Sequence, residues 1–282
     1  MILLTGATGN IGRELTRQLA TAGVEYRILV RDPARASDLP AQAQRYVGDL
    51  DDPAALTTAL DGVTALFLLV PGVGIDHTRH AVKSAREAGV GRIVLLSSFH
   101  AAGDPVPAMG RWHREREQLV QAGGIPATIL RPGSLMSNAL EWAPAVRTGA
   151  PILDPSGPGR FAPVDPADIA AVAARILTEP QHRPATHALT GAESLTCAEQ
   201  VAILARILGR TLEIRDAGTP EEAVRARFPN GAPPALAAAI VQSFTQMRSD
   251  TVGLRTDTVT ELLGRPPRTF AQWCEAHRDA FA

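Results

Sequence analysis

Residues 1–22 constrain this chain most. They run Met1-Ile2-Leu3-Leu4-Thr5-Gly6-Ala7-Thr8-Gly9-Asn10-Ile11-Gly12-Arg13 and continue to Ala22. The apolar run predicts a buried strand and the glycines a tight turn. Ile11 to Ala22 reads as a helix with Leu15, Leu19 and Ala22 on one face. Strand, glycine turn and helix N-terminus make an anion site, because free N–H groups and the positive end of the helix dipole point at the same place. The glycines divide the work. Gly6 turns the chain, Gly9 lets backbone approach a phosphate, and Gly12 lets helix and strand pack closely. The spacing is G-x-x-G-x-x-G, and its context raises a weak motif to a nucleotide-binding signal.

At 282 residues the chain suits one large α/β domain with a smaller lobe. A net charge of −1 and a pI near 6.7 give no electrostatic case for nucleic acid or an anionic membrane. Cys197 and Cys274 are too few for a disulfide framework and lack metal-site spacing, so no metal is expected. The early glycine turn leaves no room for a signal peptide, and no apolar run reaches the roughly twenty residues of a membrane span. The expected location is the cytoplasm.

Glu25–Val30 reads as the second strand, ending in Arg31-Asp32-Pro33-Ala34-Arg35. At this point a dinucleotide fold meets the adenosine ribose, and an arginine there accommodates the 2′-phosphate of NADP. Arg31, with Arg35 a turn later, favours NADP(H); Asp32 reads as the cap of a short helix beginning at Pro33. Arg45–Val47 leads to Gly48-Asp49-Leu50, with Asp49 at the adenine edge and Leu50 on its face. Asp51 and Asp52 read as the cap of a helix over Pro53–Leu60. Thr64–Val70 is a strand buried on both faces, and Pro71-Gly72-Val73-Gly74 is a loop over the cofactor's middle. A helix over Ile75–Ala88 carries His77 and His80, read as a solvated face. Arg92–Leu96 is a fifth strand followed by Ser97-Ser98-Phe99-His100 at its carboxyl end. Ala108–Ala122 is helical, and Pro126–Leu130 is a sixth strand running into Arg131-Pro132-Gly133-Ser134-Leu135-Met136.

Beyond this the alternation fails. Residues 150–163 are rich in proline and glycine and read as irregular. A helix over Pro166–Leu177 and a strand over Thr186–Gly191 rejoin the sheet. The remainder is mostly helical (Ala198–Leu208, Pro220–Arg227, Pro234–Gln246, Thr256–Leu263, Thr269–Ala280), with a short strand near Thr211–Ile214. The expected architecture is α/β: a Rossmann-type doubly wound parallel sheet over 1–135, and a smaller, mostly helical C-terminal substrate lobe over 136–282, with 160–190 returning to the core.

Taken together, Thr5-Gly6-Ala7-Thr8-Gly9-Asn10-Ile11-Gly12, Val30-Arg31-Asp32-Pro33, Gly48-Asp49-Leu50, Leu96-Ser97-Ser98 and Leu130-Arg131-Pro132-Gly133 resemble the NmrA-like branch of atypical short-chain dehydrogenases. Thr190-Gly191, Leu195-Thr196 and Leu208-Gly209-Arg210 resemble that family's C-terminal lobe. The resemblance implies a Rossmann fold and NADP(H) as cofactor. It places Gly6, Thr8, Gly9, Asn10 and Ile11 at the pyrophosphate, Arg31 at the 2′-phosphate, and Asp49 and Leu50 at the adenine. Val70 and Pro71 fall at the central ribose, Ser97 and Ser98 near the nicotinamide ribose, and Pro132, Gly133 and Ser134 beside the nicotinamide. Its members include quinone reductases, isoflavone-reductase-type enzymes and NADP-sensing regulators, so fold alone does not decide activity.

Mainstream short-chain dehydrogenases place a tyrosine and, four residues on, a lysine after the fifth strand. Here the only tyrosines are Tyr26 and Tyr46 and the only lysine is Lys83, all before that strand. Aligning the helix on His113-x-x-x-Glu117 and Leu119-x-x-x-Gly123 puts Met109 and His113 in those positions, on one helix face. His113 is the leading candidate for a proton donor or a ribose contact, with an ordinary pKa suited to either task, or is simply a helix-face partner of Glu117. Ser98 and His100 are the other groups placed to polarise a substrate oxygen. Phe99, Met109, Met136 and Trp142 either wall a flat substrate or belong to the core. The expected activity is NADPH-dependent reduction of a flat aromatic or conjugated substrate, a quinone or an enone-like carbonyl, which needs little acid help. A redox-neutral isomerase or epimerase and a non-catalytic NADP(H) sensor are the alternatives.

Overall fold

Seven parallel strands in the order β3-β2-β1-β4-β5-β6-β8 form one sheet in this computed structural model, which describes residues 1–180, 182–250 and 253–282. In chain order they alternate with helices: β1 (Ile2–Thr5), α1 (Asn10–Thr21), β2 (Tyr26–Val30), β3 (Gln44–Val47), α2 (Pro53–Leu60), β4 (Ala65–Leu68), α3 (Asp76–Glu87), β5 (Arg92–Leu96), α4 (Ala108–Ala122) and β6 (Ala127–Pro132). There follow α5 (Ala143–Thr148), β7 (Ile152–Asp154), α6 (Pro166–Thr178), β8 (Thr186–Leu189), α7 (Cys197–Leu208), β9 (Ile214–Asp216), α8 (Pro220–Arg227), α9 (Pro234–Ser249), α10 (Thr258–Leu263) and α11 (Phe270–Ala276). Every residue of the central strands β1 and β4 is buried, because helices cover both faces of a parallel sheet. From β1 the chain winds outward through β2 and β3. It then returns to lay β4 on the other side of β1 and winds away through β5 and β6. The reversal leaves a crevice at the carboxyl ends of β1 and β4, where doubly wound sheets bind their ligands.

The chain divides into two compact units. The first comprises Met1–Ala102, Gly110–Pro132 and Pro166–Ala188, and the second Gly103–Met109, Gly133–Asp165 and Leu189–Ala282. In the first, α1 buries Ile11, Leu15 and Leu19, whereas Ala22 is exposed as the residue that closes the helix rather than part of its apolar stripe. α1 packs on α6, with the Gln18 amide donating to the Ala167 carbonyl at 2.9 Å.

The second unit gathers its core on Phe270 and Trp273, whose rings stack with centroids 5.7 Å apart. Thr196, Thr219 and Thr269 open α7, α8 and α11 with reciprocal capping boxes. Residues 150–163 are not wholly irregular: Ile152–Asp154 is a strand, paired in parallel with Ile214–Asp216. The partner strand thus begins where the Thr211–Ile214 reading ended. Three-residue strands carry too little alternation to be seen without their partner. The last helix is shorter than Thr269–Ala280; α11 stops at Ala276 and a 3₁₀ turn over Arg278–Phe281 finishes the chain.

Candidate active site

At the crevice Thr5 joins the two central strands. Its hydroxyl donates to the Leu69 carbonyl and accepts from the Leu69 N–H, both at 2.8 Å. Gly6 then takes a left-handed conformation, φ 68°, and Gly9 N–H closes the turn on the Gly6 carbonyl at 3.1 Å. A Cβ on Gly12 would lie 2.2 Å from that same carbonyl, so only glycine lets helix and turn meet. Gly9 differs. Its φ of −85° suits any residue, and a Cβ would make only an ordinary 3.5 Å contact with the Gly6 carbonyl. What Gly9 keeps clear is the space in front of the turn. α1 begins there with no side-chain cap and no acidic residue in its first turn, so its free N–H groups face that space unopposed. Thr8, Gly9 and Asn10 are accessible there, while Ile11, 5% exposed, has its side chain in the core and offers only backbone. These residues fit a pyrophosphate. Arg13 was missed by sequence reasoning. It donates to the Thr8 carbonyl at 3.0 Å and the Arg35 carbonyl at 3.1 Å and pairs with Asp38, tying the glycine turn to the segment after β2.

That segment carries Arg31, whose side chain is largely exposed and lies 3.9 Å from the Asp49 carboxylate. Asp32 is occupied as a cap, accepting from Ala34 N–H at 2.9 Å. The acidic competitor at the strand end is thereby turned to backbone work, leaving Arg31 and exposed Arg35 as the charges on offer. Asp49 also accepts from the Leu50 N–H at 2.6 Å, and Leu50 is buried. Asp52 alone caps α2, at 3.0 and 3.1 Å from the Ala54 and Ala55 N–H groups. Asp51 instead meets His77 Nε2 at 2.9 Å and His80 Nδ1 at 3.6 Å, so its reading as a cap does not hold, and the half-exposed histidine face carries an exposed carboxylate partner. No group of three metal-ligating side chains occurs among the described residues.

On the other side of the crevice α4 is fastened by charges. Glu117, 3% exposed, accepts from Arg131 Nε at 2.9 Å and Nη2 at 2.6 Å, and from the Ser97 hydroxyl. This two-pronged bond clamps the helix to the ends of β5 and β6 and raises the Arg131 pKa. Arg116, equally buried, donates to the carbonyls of Val70, Gly72 and Gly74. Sequence reasoning passed over Arg116 and read Glu117 as structural. The available signal was two charged residues among the inward positions of α4, beside Gly110 and Val120.

Met109 and His113 lie one turn apart on α4, as their spacing requires. The His113 pKa does not stay near its ordinary value. Burial pushes it down to about 4, with the positive charge of Arg116 and the neighbouring His100 acting in the same direction and Glu117 opposing. Burial lowers the His100 pKa as well. The Ser98 hydroxyl lies 3.1 Å from His100 Nδ1, at the start of a 3₁₀ turn that also carries half-buried Phe99. At neutral pH this region therefore holds uncharged imidazoles and a hydroxyl. Pro132 ends β6 in the first unit. Gly133 and Ser134 begin a stretch of the second, bonded through backbone to Leu189 at 2.9 Å and Val164 at 2.8 Å. Met136 is buried in that unit's core, and half-buried Trp142 packs edge-on to Phe270 at 6.5 Å. Both cysteines are buried, and desolvation pushes the Cys274 thiol up to about 12, which leaves it inert.

The family profile for NAD(P)H binding matches residues 6–180. The chain is 39% identical to the (4-alkanoyl-5-oxo-2,5-dihydrofuran-3-yl)methyl phosphate reductase of Streptomyces griseus, over 100% of this chain and 99% of that one. It is 38% identical to the NAD(P)H azoreductase of Xenophilus azovorans, again over 100% and 99%. The NADPH-dependent quinone oxidoreductase of Escherichia coli, solved in complex with NADPH, superposes with a TM-score of 0.83 at 29% identity, covering 98% of this chain and 99% of that one. With the glycine turn at the switch point of a doubly wound sheet, and with reductases as relatives that match from end to end, the chain belongs to the NAD(P)H-binding family.

Proposed function

We propose that this NAD(P)H-dependent oxidoreductase reduces a flat, electron-poor conjugated acceptor, a quinone or an enone-like carbonyl, with His113 as a neutral hydrogen-bond donor to the oxygen that gains charge. The cofactor supplies a hydride. The chain's residues hold it and manage the charge that arrives on the substrate. Gly6, Thr8, Gly9, Asn10 and the backbone of Ile11 take the pyrophosphate; Arg31 and Arg35 take the 2′-phosphate; Asp49 and Leu50 take the adenine. Val70 and Pro71 meet the central ribose, Ser97 and Ser98 the nicotinamide ribose, and Pro132, Gly133 and Ser134 flank the nicotinamide. Phe99, His100, Met109, Met136 and Trp142 are the residues proposed for the substrate.

The observation that carries this reading is the cluster after β5, where the Ser98 hydroxyl lies 3.1 Å from His100 Nδ1 and His113 on α4 is close enough to couple to His100, with both imidazoles pushed to low pKa. An imidazole that titrates near 4 is a poor proton donor to an alkoxide at neutral pH. Its N–H still stabilises a developing oxyanion by hydrogen bonding, as neutral donors do in preorganised sites. That suffices for an acceptor whose reduced anion is itself stable, such as a hydroquinone, with the proton then taken from solvent. The relatives' named substrates, an azo compound, a quinone and an alkanoyl-oxo-dihydrofuran, are all conjugated acceptors and support the same class. The test is NADPH oxidation against quinones, enones and simple ketones. Quinones should turn over fastest, with no inflection in kcat near pH 6.5, and His113→Ala should lower kcat about 10²-fold while NADPH affinity holds. Tight NADPH binding without oxidation by any conjugated acceptor would give the site to a redox-neutral isomerase or a sensor.

A further inference from the structure

We propose that Arg116 is a positioning residue that holds the segment after β4, Val70 to Gly74, in the form that receives the cofactor. The proposal rests on the placement of Val70 and Pro71 at the cofactor's central ribose. The segment has no regular structure of its own. Its shape comes from two left-handed glycines, Gly72 at φ 68° and Gly74 at φ 92°. A Cβ at either would meet nothing within 4 Å, so the glycines are there for backbone direction and not for space. Their effect is to turn alternate carbonyls to one side. Those of Val70, Gly72 and Gly74 converge on a single guanidinium, at 3.0, 2.8 and 2.9 Å from Nη1, Nη2 and Nε. Three donors in a fixed plane determine three acceptor positions at once, which a lysine ammonium on a flexible stem does not.

The arrangement is costly, which argues that it serves something. Arg116 is 4% exposed, and burial lowers its pKa. Its neighbour Glu117 is engaged by Arg131 and Ser97, so carbonyl dipoles stabilise the Arg116 charge. Two consequences favour an anionic dinucleotide. Carbonyl oxygens drawn to Arg116 are not presented to phosphate, and a buried positive charge stays at the crevice. That charge also acts on His113, one helical turn earlier, and helps to keep it neutral.

The test compares Arg116→Lys, which keeps the charge and loses the planar fork, with Arg116→Gln, which loses both. Three quantities are read on the full chain: NADPH affinity by fluorescence titration, amide hydrogen exchange of residues 70–75 with and without NADPH, and the His113 titration by NMR. In the unmodified protein NADPH should slow exchange across residues 70–75. Both variants should exchange faster there without cofactor and bind NADPH at least tenfold more weakly, with KM for NADPH rising more than kcat falls. The His113 titration should remain low in Arg116→Lys and rise only in part in Arg116→Gln, because burial is the larger cause; the split between KM and kcat is the reading that a merely structural residue would not produce. Should Arg116→Gln fail to fold, Arg116→Lys alone decides. Unchanged NADPH affinity and exchange in Arg116→Lys, with protection by NADPH intact in the unmodified protein, overturns the role of Arg116. Absence of that protection in the unmodified protein overturns the placement of Val70 and Pro71, and this proposal with it.

Discussion

In the proposed site, Arg31 is the residue that chooses between the two nicotinamide cofactors. Asp32, the neighbour that could instead have bonded a free 2′-hydroxyl, spends its carboxylate on the Ala34 N–H. A charge-assisted contact of this kind contributes about 1.5–3 kcal/mol. Arg31→Ala should therefore remove most of a preference for NADPH over NADH, read by titrating both cofactors; equal affinities in the unmodified protein would end the argument. His113 makes a second prediction, about stability. Its pKa falls from 6.5 in the unfolded chain to about 4 in the folded one. Between these values the unfolded chain binds more protons, so folding stability rises with pH across that window and is flat above it. Acidification from pH 6.5 to 4 should lower the urea midpoint, and His113→Gln should flatten that part of the curve. An unchanged slope in the variant would mean that His113 titrates normally in the fold. The commitment of Asp32 follows from its place just before Pro33, whereas the titration of His113 does not follow from spacing. The first is a local bond that a sequence suggests; the second depends on how much of the chain closes over one ring.

At the scale of elements, the strand–turn–helix unit over residues 2–21 was legible because its determinants are local. Apolar run, glycine spacing and helix periodicity act within a few residues of one another. The geometry sharpens what each glycine does and so separates two kinds of variant. Gly12 cannot take a side chain without displacing backbone, whereas Gly9 can. Gly9→Val should therefore keep a normal circular dichroism spectrum and lose NADPH binding, because its branches enter the space before the α1 N–H groups. Retained NADPH affinity in a folded Gly9→Val protein would remove the phosphate-turn assignment. α4 is the contrasting case. Its limits, Ala108–Ala122, were legible, yet its inward face carries Arg116 and Glu117, whose partners lie elsewhere in the chain. A periodicity argument treats inward charges as exceptions, and it has no means of naming the carbonyls or the arginine that accommodate them.

Over the whole molecule, the described residues include an aliphatic cluster in the first unit and a cluster built around stacked aromatics in the second. Trp273 is fully buried against Phe270 at 5.7 Å, His277 at 4.4 Å and Phe281 at 6.4 Å. Trp273→Ala should cost about 3–5 kcal/mol through lost burial and the cavity left behind. A urea-unfolding difference below about 1 kcal/mol would show that the second unit does not depend on that stack. By itself the sequence determined the order of strands and helices through β6, the glycine turn between β1 and α1, and the caps that Asp32 and Asp52 supply. These follow from backbone preferences and side-chain periods that operate over one or two turns of chain. Only the tertiary structure decided that Ile152–Asp154 pairs with Ile214–Asp216, that Glu117 joins Ser97 and Arg131, and that Arg116 gathers carbonyls 42–46 positions upstream. It also decided that the His113 pKa falls well below its ordinary value. Partners of this kind are chosen by the packing of distant segments, and a pKa by the water that this packing excludes, so neither is written in any one stretch of residues.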